Sequence, residues 1–190
     1  MAKSPPKLKT KPPPLPSLTV DYFRRAQKGE KAAMADLFVR VRDRLNRFCL
    51  YLTGDRQSAQ DLAQDAYVKV MENLKSLEDP NFFVPWLFRV TKNHFLDYVR
   101  SPRSRIHAGY QLLQYLPANT RNSELATQIA AALAQLKPRD RLLVLFIYLE
   151  GQSYADAAKW LGVTEEAVRG RLRRIREALR GDFFTIEKHL

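Results

Sequence analysis

Apolar residues in this chain recur every third or fourth position, and no segment sustains the alternate-residue pattern of a half-buried strand. Phe23, Leu37, Phe38, Val41, Leu45, Phe48 and Leu52 set this spacing early, and Val168, Leu172, Ile175 and Leu179 repeat it near the end. Side chains three and four apart share one helix face, so the expected fold class is all-α. At 190 residues the chain has room for one domain or two small ones. No apolar run approaches the ~20 residues of a bilayer span, so no stable membrane insertion is expected. The opening MAKSPPKLKTKPPPLP has lysines but lacks the apolar core of a secretory signal, which points to a cytoplasmic protein. The single cysteine, Cys49, excludes an internal disulfide and any multi-cysteine metal site.

Punctuation divides the pattern. Residues 1–18 hold six prolines and four lysines without apolar periodicity, as in a disordered cationic tail. From 19 to 100 the spacing is helical, interrupted at Gly54-Asp55 and Asp79-Pro80-Asn81, with helices predicted over 58–74 and 85–100. Residues 101–123, with Ser101-Pro102, Gly109, Pro117 and Asn119, read as a flexible linker holding one short helical piece. A second helical block covers 124–182, broken at Lys137-Pro138, Glu150-Gly151 and Gly162, and 183–190 form a tail. The expectation is therefore two small helical domains joined by a flexible linker.

The second block carries a helix-turn-helix signal. Ser153 is placed to cap a helix whose small Ala157 and Ala158 would let a second helix approach closely. Gly162 suits the positive φ of a tight turn, and Thr164 is placed to cap the following helix. In that helix the apolar stripe is narrow, while six arginines and three glutamates lie between 164 and 180, a net of +3. Arg169, Arg173, Arg176 and Arg180 gather on one face beside the stripe, and Arg171 and Arg174 lie elsewhere around it. Arginine at this density suits phosphate contacts and guanine edges in a major groove. The whole chain, with 32 Lys and Arg against 20 Asp and Glu, carries +12 and calls for a polyanionic partner.

The first block divides its charge. Residues 55–79 hold six acids and three bases, a net of −3, with Asp61 and Asp65 opposite the apolar arc of Leu62, Ala66 and Val70. Such a patch on a basic protein reads either as a docking surface for a basic partner or as a solvated face with an Asp65–Lys69 pair. Residues 85–105 carry five bases and one acid, a net of +4. Arg89, Asn93 and Arg100 share a face there with Trp86 beside them, a combination suited to phosphates and unpaired bases. Phe82 and Phe83 are further candidate base platforms.

Taken together, these motifs resemble the extracytoplasmic-function (ECF) group of bacterial sigma factors. Thr53-Gly54-Asp55, Asp61-Leu62-Ala63-Gln64-Asp65-Ala66-Tyr67 and Phe83-Val84-Pro85-Trp86 through Arg100 are similar to the family's second conserved region. Leu136-Lys137-Pro138-Arg139-Asp140-Arg141, Glu150-Gly151-Gln152-Ser153-Tyr154 and the helix-turn-helix are similar to its fourth. The resemblance implies a promoter-specificity subunit that binds the β and β′ subunits of core RNA polymerase. It assigns Asp61, Leu62, Gln64 and Asp65 to the core, and Trp86, Arg89, Lys92, Asn93 and Arg100 to the melted strand of the −10 element. It assigns Thr164, Arg169, Arg171, Arg173, Arg174 and Arg176 to double-stranded −35 DNA. An anti-sigma protein is a further partner that the resemblance allows.

Two other functions remain to be weighed. A helix-turn-helix regulator that never joins polymerase needs only the second block and leaves the acidic face unexplained. An enzyme such as a nuclease lacks support: His94, His107 and His189 are scattered, and there is no phosphate-cradling glycine motif. No catalytic residue, metal site or cofactor is expected.

Overall fold

The computed structural model describes residues 20–100, 111–115 and 124–179, and every regular element among them is helical. The proline-rich tail, residues 101–110 and 116–123 of the expected linker, Arg180 and the C-terminal tail lie outside the described residues.

The run expected from residue 19 is broken early. Helix α1 spans Val20–Gln27 and α2 spans Lys31–Thr53, separated where Gly29 adopts φ 88°. An Arg25–Glu30 ion pair and Gln27 then fasten α1, the latter donating to the Leu74 and Leu77 carbonyls at 3.0 and 2.7 Å. Leu37, Val41, Leu45, Phe48 and Leu52 form the buried seam of α2. That helix stops at Gly54, whose φ of 75° lets its N–H return to the Leu50 carbonyl.

Helix α3, Arg56–Asn73, begins two residues before the expected start because the Asp55 side chain accepts from the Ser58 N–H at 2.8 Å. Its buried face is mostly small (Ala59, Ala63 and Ala66, with Leu62 and Val70), which brings α2 and α3 close together. Helix α4 covers Phe83–Arg100, also two residues longer than expected. The 3-10 turn Pro80–Phe82 runs straight into it. Pro85 is thus the third helical residue, still within the first turn where no N–H has an intrahelical partner. Phe23–Phe83 and Phe48–Phe88 edge-on contacts, with centroids 6.2 and 4.9 Å apart, join α1, α2 and α4.

The short α5, Leu112–Tyr115, is the helical piece expected inside the linker. Leu112 is buried, and the Gln111 N–H donates to the Gly54 carbonyl at 2.9 Å. Helix α6 spans Glu124–Gln135, and α7 spans Pro138–Val144 with proline in its first turn. A wide π turn over Leu145–Leu149 follows. Helices α8, Tyr154–Leu161, and α9, Glu165–Leu179, complete the block.

The two blocks pack on one another. Their apolar side chains form one continuous buried cluster, with α7 and the π turn packed on α2, and α7 also against α4.

Candidate functional site

Three surfaces carry the expected functional residues. The first is the outward face of α3. At 100° per residue Asp61, Gln64, Asp65, Val68 and Glu72 fall within about 100°, opposite the buried Ala59, Ala66 and Val70. Asp61, Gln64 and Asp65 are exposed. The Asp65–Lys69 pair of the solvated-face alternative does not form: Lys69 Nζ lies 2.8 Å from Glu72 Oε2 instead. Asp61 and Asp65 have no ion pair among the described residues, so their charge is directed to solvent. Leu62 differs from its three companions: at 5% exposure it belongs to the core stripe, so its part is to position the acidic face. Sequence reasoning passed over the exposed Val68 and Met71, which add apolar area beside the acids. Opposition to the buried stripe was the signal that would have found Val68.

The second surface lies on α4. Arg89, Asn93 and Arg100 are exposed on one line, with Trp86 half-buried beside them. The two candidate phenylalanines part company: Phe82 is 59% exposed, whereas Phe83 is fully buried. Lys92 departs from the expected set. It lies about 60° round the helix from Arg89, half-buried, and its Nζ donates to the Trp160 carbonyl. Desolvation, with Arg89 nearby, lowers its ammonium pKa.

The third surface is built by the helix-turn-helix. Ser153 accepts from the Asp156 N–H at 3.0 Å while Asp156 accepts from the Ser153 N–H, a reciprocal capping box. Gly162 takes φ 70°, returning its N–H to the Ala158 carbonyl. Thr164 Oγ1 accepts from the Ala167 N–H at 3.2 Å and so starts α9. Buried Val168, Leu172, Ile175 and Leu179 hold α9 to the block. Arg169, Arg173 and Arg174 are exposed on the outer side, the first paired with Glu165 and 5.7 Å from the Tyr154 ring. Arg171 and Arg176 flank the core stripe, and their guanidiniums turn inward. Arg171 pairs with Asp140 of α7, and Arg176 donates to the Tyr148 and Tyr154 hydroxyls at 3.1 and 3.4 Å. These two arginines brace α9 against its scaffold, whereas Arg169, Arg173 and Arg174 lie on its exposed side.

Among the described residues no cluster of His, Cys, Asp and Glu is fit to hold a metal ion. No described helix is long and apolar enough to cross a membrane.

Comparison with known proteins matches two stretches of the chain. Sigma-70 region 2 matches residues 37–105, and Sigma-70, region 4 matches residues 126–179. The chain is 35% identical over 163 residues to the ECF RNA polymerase sigma factor SigE of Mycolicibacterium smegmatis, covering 80% of this chain. It spans 63% of SigE's length, which is less than two thirds of that protein. It is 32% identical to the ECF sigma factor SigL of Mycobacterium tuberculosis, covering 82% of this chain and 91% of SigL. The sigma factor RpoE of Bartonella quintana, solved in complex with the anti-sigma factor NepR, has the same fold. That likeness has a TM-score of 0.62 at 24% identity and covers 78% of this chain and 95% of RpoE. With both regions present in order, and relatives matched along most of its length, this chain belongs to the ECF family of RNA polymerase sigma factors.

Proposed function

We propose that the protein is a dissociable subunit that directs core RNA polymerase to promoters and helps melt them. It is a cytoplasmic, non-enzymatic factor whose two units run over 19–100 and 124–182. The observation that carries this reading is the exposed face of α3, where Asp61 and Asp65 have no ion pair among the described residues, in a chain of net charge +12. A simple DNA-binding regulator has no use for that face, whereas docking to a basic protein surface does.

The remaining surfaces divide the DNA work. Trp86, Arg89, Asn93 and Arg100 of α4, with Phe82 at its start, face the −10 element. Aromatic faces there can stack on flipped bases while the guanidiniums meet phosphates. Thr164, Arg169, Arg173 and Arg174 meet the −35 element, with the first turns of α9 deepest in the major groove. RpoE was captured with an anti-sigma factor, and a protein inhibitor is a partner class that suits this chain as well.

The docking surface is tested by reversing it. Asp61→Arg with Asp65→Arg leaves the buried face of α3 untouched, so the circular-dichroism melt should stay the same. Binding to core polymerase should fall at least a hundredfold, since like charges brought together across an interface cost several kcal/mol. Undiminished binding by a normally melting variant would refute the assignment.

A further inference from the structure

The segment between α3 and α4 has little regular structure of its own. It contains the 3-10 turns Leu74–Ser76 and Pro80–Phe82, in which the Leu77 N–H donates to the Leu74 carbonyl at 3.2 Å and the Phe82 N–H to the Asp79 carbonyl at 3.1 Å. Yet it ends on Phe82, 59% exposed, the aromatic ring assigned above to the −10 element. A ring that meets an unpaired base gains most when it is held in the binding geometry beforehand.

Helix α1 supplies the hold. The Gln27 carboxamide nitrogen donates to the Leu74 carbonyl at 3.0 Å and to the Leu77 carbonyl at 2.7 Å, so both of its hydrogens are used. Its oxygen accepts from Arg24 Nη1 at 3.0 Å. Arginine only donates, so this bond fixes which end of the amide faces the segment. The second terminal nitrogen, Arg24 Nη2, donates to the Glu78 carbonyl at 3.1 Å. Two side chains of α1 thus collect three carbonyls lying 47 to 54 residues away in the chain. Beside them the fully buried Phe23 meets Phe83, the first residue of α4, edge-on at 6.2 Å. The helix is itself tied to α2 through the Arg25–Glu30 pair and through Tyr22, whose ring lies 5.7 Å from the Arg40 guanidinium. Buried Phe23 and Ala26 seat α1, whereas Arg24 is exposed and Gln27 half-buried. The polar contacts therefore act on the shape of the segment more than on the docking of the helix.

We propose that Gln27, oriented by Arg24, is a positioning residue for promoter melting: it fixes the 74–82 segment so that Phe82 is presented to an unpaired base. The melting role rests on the sigma-factor reading and on the assignment of Phe82 to the −10 element; the hold on the segment in the free chain does not. A ring presented in only a fraction of molecules binds its base with an affinity reduced by that fraction.

Gln27→Met keeps an unbranched side chain and removes the donors. In the free chain, amide hydrogen exchange over 74–82 should become about tenfold faster, with α2 and α3 unchanged. With core polymerase, the yield of permanganate-reactive bubble should fall about tenfold. Polymerase binding should stay the same, because the acidic face of α3 is untouched. In a Phe82→Ala background the same substitution should cost nothing further, since no ring remains to be positioned. A merely structural role would lower both backgrounds alike. Unchanged exchange over 74–82, or equal losses in the two backgrounds, overturns the proposal. If Gln27→Met does not fold, Arg24→Met at its exposed position carries the same test, with an expected change of about threefold in exchange and in bubble yield. No change there overturns it equally. A wild type that opens no promoter refutes the sigma-factor reading and the melting role with it, and exchange then decides whether the hold on the segment stands.

Discussion

Gly170 sits on α9 opposite its core stripe, and a Cβ built there meets nothing within 4 Å. Glycine costs a helix up to ~1 kcal/mol relative to alanine, so Gly170→Ala should raise the melting temperature slightly without altering the fold. The neighbouring arginines separate into two kinds. Arg169→Ala should cost ~1–3 kcal/mol on a matched −35 duplex and relax preference at one base pair. Arg171→Ala removes the partner of Asp140, so its main effect should be about 1 kcal/mol of stability with base preference kept. Binding titrations on matched and shuffled duplexes, read beside thermal melts, distinguish them. A reversed pattern would mean the faces of α9 are misassigned. The sequence shows that arginines surround this helix but not which are occupied, because Asp140, Tyr148 and Tyr154 lie on other elements.

Local signals were the most legible ones in the helices. Ser153, Gly162 and Thr164 act as cap, turn and cap because each role depends only on nearby backbone, which the sequence contains in full. Helix starts were less legible: Asp55 caps α3 two residues early, and a 3-10 turn feeds α4 at Phe83. The start of α4 also sorts its aromatics, which spacing alone left open. Phe82 projects outward, Phe83 is enclosed, and Trp86 lies between. Phe82→Ala should therefore reduce promoter opening with little change in melting temperature, by ~1–3 kcal/mol for a stacked base. Permanganate footprints of the bubble check this. An intact bubble would remove Phe82 from the −10 surface.

Across the molecule, the periodicity foretold two helical blocks but not their union. Arg44, Arg141 and Glu150 are distant in sequence and carry no motif that pairs them, yet they join the blocks through buried contacts. Removing one partner of the Arg44–Glu150 pair alone should cost roughly 3–5 kcal/mol, because burial already raises the carboxyl pKa of Glu150 and Arg44 is its nearest compensation. For the same reason DNA binding is best measured on the full chain, since Arg141 of the second block satisfies the end of α2 in the first. Run-off transcription with core polymerase on genomic DNA then asks whether the chain converts polymerase into a promoter-specific enzyme. The account predicts discrete start sites preceded by shared −35 and −10 sequences, lost when Asp61 and Asp65 are reversed. Sequence-specific DNA binding without any initiation would contradict it, leaving a helix-turn-helix regulator that acts apart from polymerase.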